Sequence, residues 1–156
     1  MRRRIPSPAL DESYRIGVDQ VDRGLDGLLR CLGDLVAVVE SGLEGGLVGT
    51  AIDIFEGYAR RQFLIEERMM VGSGYHDLDD HRSHHQYFMA RVAHLKQEWM
   101  RKRRIPEENL SFFVNWVIAH ITAIDRKFGE FASTVKRRDL LTEPSSTSLR
   151  PSEGRP

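Results

Sequence analysis

Four stretches of the chain repeat apolar residues at steps of three and four, and short breaks separate them. This spacing places the apolar side chains on one face of an α-helix, so each stretch predicts a helix with one buried side. Glycine-bearing segments end the first two stretches, and Pro106 followed by two glutamates is typical of a helix start. Because long helices joined by short loops pack side by side, the pattern predicts an all-α, antiparallel up-down-up-down four-helix bundle. The predicted helices cover residues 18–39, 47–71, 77–103 and 106–134.

Composition excludes several classes of function. The 156-residue chain carries 23 basic and 23 acidic residues, and this zero net charge argues against binding nucleic acid or a membrane surface through bulk electrostatics. Cys31 is the only cysteine of the sequence, which excludes an intrachain disulfide and a cysteine-rich zinc site, and its leucine neighbours predict a buried, unreactive side chain. No apolar run reaches the roughly 20 residues needed to span a bilayer, and the opening MRRRIPSPAL lacks the apolar segment of a secretory signal. We therefore expect a soluble cytoplasmic protein.

The chain is expected to form a single domain with loose ends. A length of 156 residues corresponds to about one domain. We expect the bundle to span residues 12–137, preceded by a flexible N-terminal arm at 1–11. The segment 138–156 is rich in Ser, Thr and Pro, a composition that is typical of a disordered tail.

Polar side chains interrupt the apolar faces of the second and third predicted helices. On the second, Gln62 and Glu66 lie one turn apart on the face that a bundle would bury, where a charge is costly to hide. On the third, His81 and His85 are four residues apart, so both imidazoles project from one face at the spacing of two ligands to one metal. These residues predict a polar centre inside the bundle.

The fourth predicted helix adds two more candidate ligands, His120 and Asp125. They are five residues apart, about 140° around a regular helix, an offset that a reaching carboxylate can bridge. Each signal alone has an ordinary explanation: a surface histidine pair, a glutamate paired with arginine, or a hydrogen-bonded core histidine. Together they favour a metal site, because bundle cores that gather His and Glu usually hold metal, and nitrogen and oxygen donors without thiolate suit iron, manganese or zinc. The other histidines are expected to be solvated: His76, His84 and His94.

Four segments carry a family resemblance: 16-IGVDQVD-22, 58-YARRQFLIEERMM-70, 81-HRSHHQYF-88 and 116-WVIAHITAID-125. In this order and at this spacing they resemble the hemerythrins, specifically the bacterial single-domain branch, the bacteriohemerythrins. The resemblance covers about residues 12–133. It implies an up-down-up-down bundle around a non-haem iron pair that binds dioxygen reversibly.

The resemblance also implies a ligand set for one of the two irons. Three histidines bind this iron, and two carboxylates bridge it to the second iron. The matching positions are His81, His85, His120, Glu66 and Asp125.

The second iron of the family takes two further histidines, and both positions differ here. They are occupied by Leu25 and Gln62. Leucine offers no donor, and a glutamine amide oxygen is a much poorer ligand than imidazole. Asp22 faces inward but belongs to the family's own motif, and Asp26 is expected to face away, so neither compensates. We expect the second iron site to be lost.

Three functional hypotheses follow. We expect a mononuclear non-haem iron protein that binds or senses a small ligand such as O2, NO or a small anion, or a redox change; zinc or manganese would suit the same donors. The first alternative is a metal-free or structural-metal interaction module, in which Gln62 holds Glu66 and His81→Ala leaves the stability nearly unchanged. The second alternative is a diiron O2-binding protein in which Gln62 and water serve the second metal. The sequence shows no acid, base or substrate pocket of an enzyme, and it identifies no protein partner.

Overall fold

The computed structural model describes residues 11–42 and 46–142, which form an antiparallel bundle of four long helices. The predicted fold class is confirmed. A short 3-10 turn, Glu12–Tyr14, precedes the first long helix, and a π-helical turn, Ile121–Asp125, joins the last two helical segments into one continuous fourth helix. The helical segments are α1 (Asp19–Glu40), α2 (Gly46–Ser73), α3 (Leu78–Lys102), α4 (Glu107–His120) and α5 (Arg126–Thr142).

Local chemistry explains several of the helix ends. α2 stops before Gly74, whose φ of 69° lies in the left-handed region that glycine adopts without steric cost. Arg101 and Lys102 lie in the last turn of α3, where positive charge interacts favourably with the helix dipole. Pro106 and the acidic Glu107 mark the start of α4, as predicted.

The fourth helix runs further than its sequence pattern predicts. Its end was expected near Thr134, but α5 continues to Thr142. The added part carries Lys136, Arg137 and Arg138, which are exposed, strong helix formers without an apolar pattern. Residues 1–10, 43–45 and 143–156, which include most of the expected arm and tail, lie outside the described residues.

Aromatic rings fill the core beside the polar centre. Phe55, Phe88 and Phe113 are buried and meet edge to face, with ring centroids 5.9, 5.6 and 5.3 Å apart. Phe63 and Trp116 both contact Phe88 and also reach the histidines of the polar centre. The polar centre is therefore walled by aromatic side chains on this side.

The segment before α1 is held between two helices. The backbone N–H groups of Ile16 and Gly17 donate to the two carboxylate oxygens of Asp22 at 2.8 and 3.1 Å. On the other side, Gly129 of α5 packs so closely that a Cβ on it would lie 2.2 Å from the Ile16 carbonyl oxygen. Both backbone faces of this segment are therefore fixed.

Two further expectations concern Cys31 and the membrane. Cys31 packs against the core, as predicted, but it is half-buried rather than fully buried. Burial raises the pKa of its thiol, which lowers its reactivity. Across the described ranges, no helix combines the length and apolar character that crossing a membrane requires.

Candidate metal centre

The bundle brings five buried side chains from three of its four helices to one point. Each offers one nitrogen or oxygen atom, and these five atoms all lie within 4.8 Å of one another. This is the full set of ligand positions predicted from the sequence, and such a cluster could hold a metal ion. It comprises Glu66 on α2, His81 and His85 on α3, His120 at the end of α4, and Asp125 at the end of the π-helical turn.

The π-helical turn explains how the fourth helix supplies two of these groups. Residues five apart diverge by about 140° in an α-helix, whereas the i→i+5 hydrogen bonds of a π turn bring them to one face. His120 immediately precedes the turn and Asp125 ends it, and the His120 Nε2 atom lies 3.2 Å from the Asp125 Oδ1 atom. The Asp125 side chain was expected to bridge the 140° offset by its own length. Instead, the local change from α-helix to π-helix brings Asp125 and His120 together.

The Nε2 atoms of the α3 histidines point into the cluster. His81 Nε2 lies 3.1 Å from His85 Nε2, 3.2 Å from Asp125 Oδ1 and 3.8 Å from Glu66 Oε2. His85 Nε2 lies 3.1 Å from the same Glu66 oxygen. His81 therefore occupies the middle of the cluster, within ion-pair distance of both carboxylates.

Several buried polar atoms of the cluster make no hydrogen bond of good geometry among the described residues, although some of them lie within ion-pair distance of one another. They include both Asp125 oxygens, Glu66 Oε2 and both ring nitrogens of His120. An unsatisfied buried polar atom costs about 1–3 kcal/mol, and more when it is charged. A cation among these atoms would satisfy the carboxylate oxygens and imidazole nitrogens together, so the donor set fits a metal ion.

In the absence of a metal ion, a proton on His81 supplies part of the positive charge that the metal would bring. Burial opposes protonation of His81, but the neighbouring carboxylates of Asp125 and Glu66 outweigh burial and raise its pKa to about 9. Burial likewise opposes ionisation of Asp125, but the imidazoles of His120 and His81 hold the pKa of its carboxyl well below the usual range. The metal-free centre is therefore an ion-paired cluster with His81 protonated at neutral pH.

This protonation predicts how the stability of the metal-free protein depends on pH. Because the folded-state pKa of His81 is raised from 6.5 to about 9, its stabilising effect is complete below pH 6.5 and is lost as the pH rises through 9. The expected loss in unfolding free energy between pH 6 and pH 10 is on the order of 3 kcal/mol. Urea unfolding of the chelator-treated protein measures it, with His81→Gln as the control whose profile lacks this component. Equal profiles for the two proteins would contradict the assignment.

The amide nitrogen of Gln62 is engaged in hydrogen bonds beside the cluster. Its Nε2 group donates to Glu66 Oε1 at 2.6 Å and to the backbone carbonyl of Val21 at 3.2 Å, so both amide hydrogens are used. Glu66 therefore has only Oε2 free. Gly24 makes room for this arrangement, because a Cβ there would lie 1.6 Å from Gln62 Oε1.

The α1 side of the centre offers no replacement ligand. Leu25 is buried among apolar side chains, as expected. Asp22 is buried too, but its oxygens accept the Ile16 and Gly17 N–H groups described above. Asp26 is half-exposed. This side is filled by hydrocarbon and by the amide of Gln62.

The remaining histidines lie outside the cluster, as predicted. His76 and His94 are exposed and each lies within 4 Å of a neighbouring acidic side chain. His84 is half-buried, with 40% of its side chain exposed, and its ring centroid lies 5.8 Å from that of His120. The metal cluster found among the described residues does not include them.

One acidic residue at the centre, Glu67, was not predicted from the sequence. Glu67 Oε1 lies 2.9 Å from Nδ1 of His85, on the ring edge opposite the cluster, and its other oxygen accepts from Arg82 Nε at 3.1 Å. Aromatic faces also hold the ligand rings, since Phe63 stacks on His85 at 3.9 Å and Trp116 stacks on His120 at 4.5 Å. Glu67 follows a buried glutamate, but only the packing of α2 against α3 identifies its partner.

Comparisons with known proteins agree with this architecture. The family model described as the hemerythrin HHE cation binding domain matches residues 19–132. The chain is similar to a bacteriohemerythrin of Stenotrophomonas maltophilia (strain R551-3), with 25% identity over 119 residues that cover 76% of this chain and 77% of that protein. It is also similar to the myohemerythrin of Riftia pachyptila, with 25% identity over 126 residues that cover 80% and 93% of the two chains.

A solved structure supports the same fold. The crystal structure of a hemerythrin point mutant aligns with a TM-score of 0.68 and 21% identity, covering 76% of this chain and 90% of that one. At this identity the likeness concerns the fold alone. The match of the family model to most of the chain, over the helices that carry the five converging side chains, shows that this protein belongs to the hemerythrin HHE cation-binding family.

Proposed function

We propose that the protein is a mononuclear non-haem iron protein that binds or senses a small ligand. The ligands of the ion are Glu66, His81, His85, His120 and Asp125. The observation that carries this proposal is the convergence of these five groups within 4.8 Å, with carboxylate and imidazole atoms that lack other partners among the described residues. Three nitrogen and two oxygen donors without thiolate suit iron, and zinc or manganese would fit the same set.

The side of the centre that faces α1 and Gln62 supports one metal rather than two. A carboxylate that bridges two metals through both of its oxygens needs both of them, but Glu66 Oε1 already accepts a hydrogen bond from the Gln62 amide at 2.6 Å. Both hydrogens of that amide are engaged, and Leu25 contributes only hydrocarbon. Glu66 is thereby limited to a terminal role through Oε2.

The charge of the centre indicates which small ligands it would accept. A bound iron would supply the binding position for a small ligand, and the carboxylates of Glu66 and Asp125 would cancel the charge of a divalent ion. A buried site tolerates net charge poorly, so the ferrous form favours a neutral ligand such as NO and the ferric form a small anion such as azide. Reversible dioxygen carriage, which the resemblance implies for an iron pair, is not transferred, because one ferrous ion gives one electron where a pair gives two.

A metal-free interaction module is the second candidate. The hydrogen bond from Gln62 to Glu66 is the feature that this hypothesis predicted, and the protonated His81 offsets part of the buried charge. The buried atoms of His120 and Asp125 favour the metal-binding proposal over it, because without a metal they have ion-pair contacts but no hydrogen bond of good geometry among the described residues.

Metal stoichiometry tests the proposal directly. The protein is loaded with ferrous iron without oxygen, desalted, and analysed for iron per chain. We expect about one iron per chain, and NO binding to the ferrous form with a characteristic electron paramagnetic resonance signal. Two irons per chain would restore the diiron alternative, and none would favour the interaction module.

Rebuilding the second site tests why it is absent. The double variant Leu25→His with Gln62→His supplies two imidazoles and releases Glu66 Oε1, so iron uptake should rise from about one to about two per chain. The two single variants are the matched controls and should stay near one. A double variant that folds and still binds one iron would show that these two residues are not the cause.

A further inference from the structure

We propose that Glu67 is a positioning residue that holds His85 in its metal-binding tautomer and, together with Arg82, sets the affinity and reduction potential of the centre. The inference rests on the proposed function, since it concerns a ligand of the same site. Its starting observation is the 2.9 Å contact between Glu67 Oε1 and Nδ1 of His85.

The contact determines which nitrogen of His85 is free for a metal. An ionised carboxylate only accepts hydrogen bonds, so Nδ1 of His85 must carry a proton and donate it. In the neutral ring the lone pair then lies on Nε2, the atom that points into the cluster and approaches Glu66 Oε2 at 3.1 Å. The Phe63 ring, stacked on the imidazole at 8° between planes, limits rotation of the ring.

His85 is the ligand for which this support is best defined. The Nδ1 atoms of His81 and His120 have no hydrogen-bond partner among the described residues. A carboxylate on the far nitrogen orients a ligating histidine and raises its basicity, and loss of such a partner typically lowers metal affinity by about 10–100-fold. The α3 side of the centre therefore depends on Glu67.

Arg82 lies at the surface beside the Glu67–His85 pair, and its positive charge opposes the negative charge of Glu67. Its Nε atom lies 3.1 Å from Glu67 Oε2, and its side chain is 38% exposed. A negative charge near a metal favours the ferric state and a positive charge disfavours it. Removing the charge of Glu67 should therefore raise the reduction potential of the iron, and removing that of Arg82 should lower it.

The chain contains a matched control pair on the same two helices. Glu56 of α2 pairs with Lys96 of α3 at 3.1 Å, with side-chain exposures of 21% and 39%, against 19% and 38% for Glu67 and Arg82. Glu56 and Lys96 lie outside the metal cluster. Lys96 also pairs with Asp53 of α2 at 2.7 Å. Lys96→Gln therefore reproduces the loss of an α2–α3 ion pair without touching a ligand, whereas Glu56→Gln removes only one of the two acidic partners.

The experiment compares Glu67→Gln, Glu67→Ala and Arg82→Gln with Glu56→Gln and Lys96→Gln. Zinc affinity is measured by chelator competition, the potential by redox titration of the iron-loaded protein, and stability by thermal unfolding of the metal-free protein. We expect Glu67→Ala to weaken zinc binding by about 10–100-fold. Glu67→Gln should recover part of this loss, because its amide oxygen still accepts from Nδ1. Potentials should shift upward for Glu67→Gln and downward for Arg82→Gln, and the control pair should change neither quantity.

Equal zinc affinities for Glu67→Ala and Glu56→Gln, or potential shifts of the same sign for Glu67→Gln and Arg82→Gln, would overturn the inference. A purely structural role would lower thermal stability without opposite shifts in potential. Iron stoichiometry of the unmodified protein separates this inference from the proposed function. Two irons per chain would contradict the mononuclear proposal but not the role of Glu67 in holding His85. No uptake of any metal would contradict both the mononuclear proposal and the role of Glu67.

Discussion

His81→Ala is expected to abolish metal binding, taking iron from about one per chain to none detectable. The His81 Nε2 atom lies at the middle of the cluster, 3.1–3.8 Å from atoms of His85, Asp125 and Glu66. Its loss removes one ligand and also leaves the two carboxylates to repel each other at close range. Elemental analysis after loading and desalting measures the effect.

Controls separate loss of the ligand from loss of the fold. Under the metal-free alternative, His81→Ala was expected to leave the stability nearly unchanged, but His81 is the buried partner of two carboxylates. Removing one partner of a buried ion pair costs about 3–5 kcal/mol.

His81→Gln keeps a hydrogen-bond donor facing the carboxylates, so it should fold better than His81→Ala and still lose the metal. His94→Ala alters an exposed histidine of the same helix and should bind iron normally. Normal iron uptake by a folded His81→Gln protein would contradict the site.

Gly129→Ala is expected to cause the largest loss of stability away from the metal centre, about 3 kcal/mol or more. The added Cβ would lie 2.2 Å from the Ile16 carbonyl oxygen, which is a backbone atom and cannot move aside by changing rotamer. The segment also cannot retreat easily, because the N–H groups of Ile16 and Gly17 are bound to Asp22. Chemical denaturation of the metal-free protein gives the change in unfolding free energy.

Gly57→Ala is the matched control for this prediction. Gly57 also lies within a helix, α2, but a Cβ there would have no neighbour within 4 Å. Alanine at such a position should be neutral or stabilising by up to about 1 kcal/mol, because glycine loses more backbone entropy in a helix. Similar effects of the two substitutions would mean that the contact between Gly129 and Ile16 is not tight in solution.

Residue spacing was sufficient to predict the helices and the face that each one buries. A helix has a regular period, so His81 and His85 at four residues apart must share a face wherever that helix packs. Gln62 and Glu66 are also four residues apart, so they share a helix face, and the apolar residues of that face place them toward the core. Only the end of the fourth helix was misplaced, because the exposed charged residues before Thr142 carry no apolar pattern to mark it.

Contacts between elements, and departures from the regular period, could not be predicted in this way. The π-helical turn that aligns Asp125 with His120 breaks the period on which the sequence analysis relied. The hydrogen bond of Gln62 to Val21 depends on how closely Gly24 lets α1 approach α2, a distance that neither helix determines alone.

By itself, then, the sequence determined the four-helix architecture and the inward placement of Glu66, His81 and His85, because both follow from helical periodicity and residue type. The convergence of Asp125 with His120 required the π-helical turn. The tertiary structure alone decided what surrounds those side chains. Gln62 holds one oxygen of Glu66, and Glu67 holds the far nitrogen of His85. Hydrogen bonds between helices require distances of about 3 Å, and these depend on the rotation and separation of packed helices rather than on the pattern within any one of them.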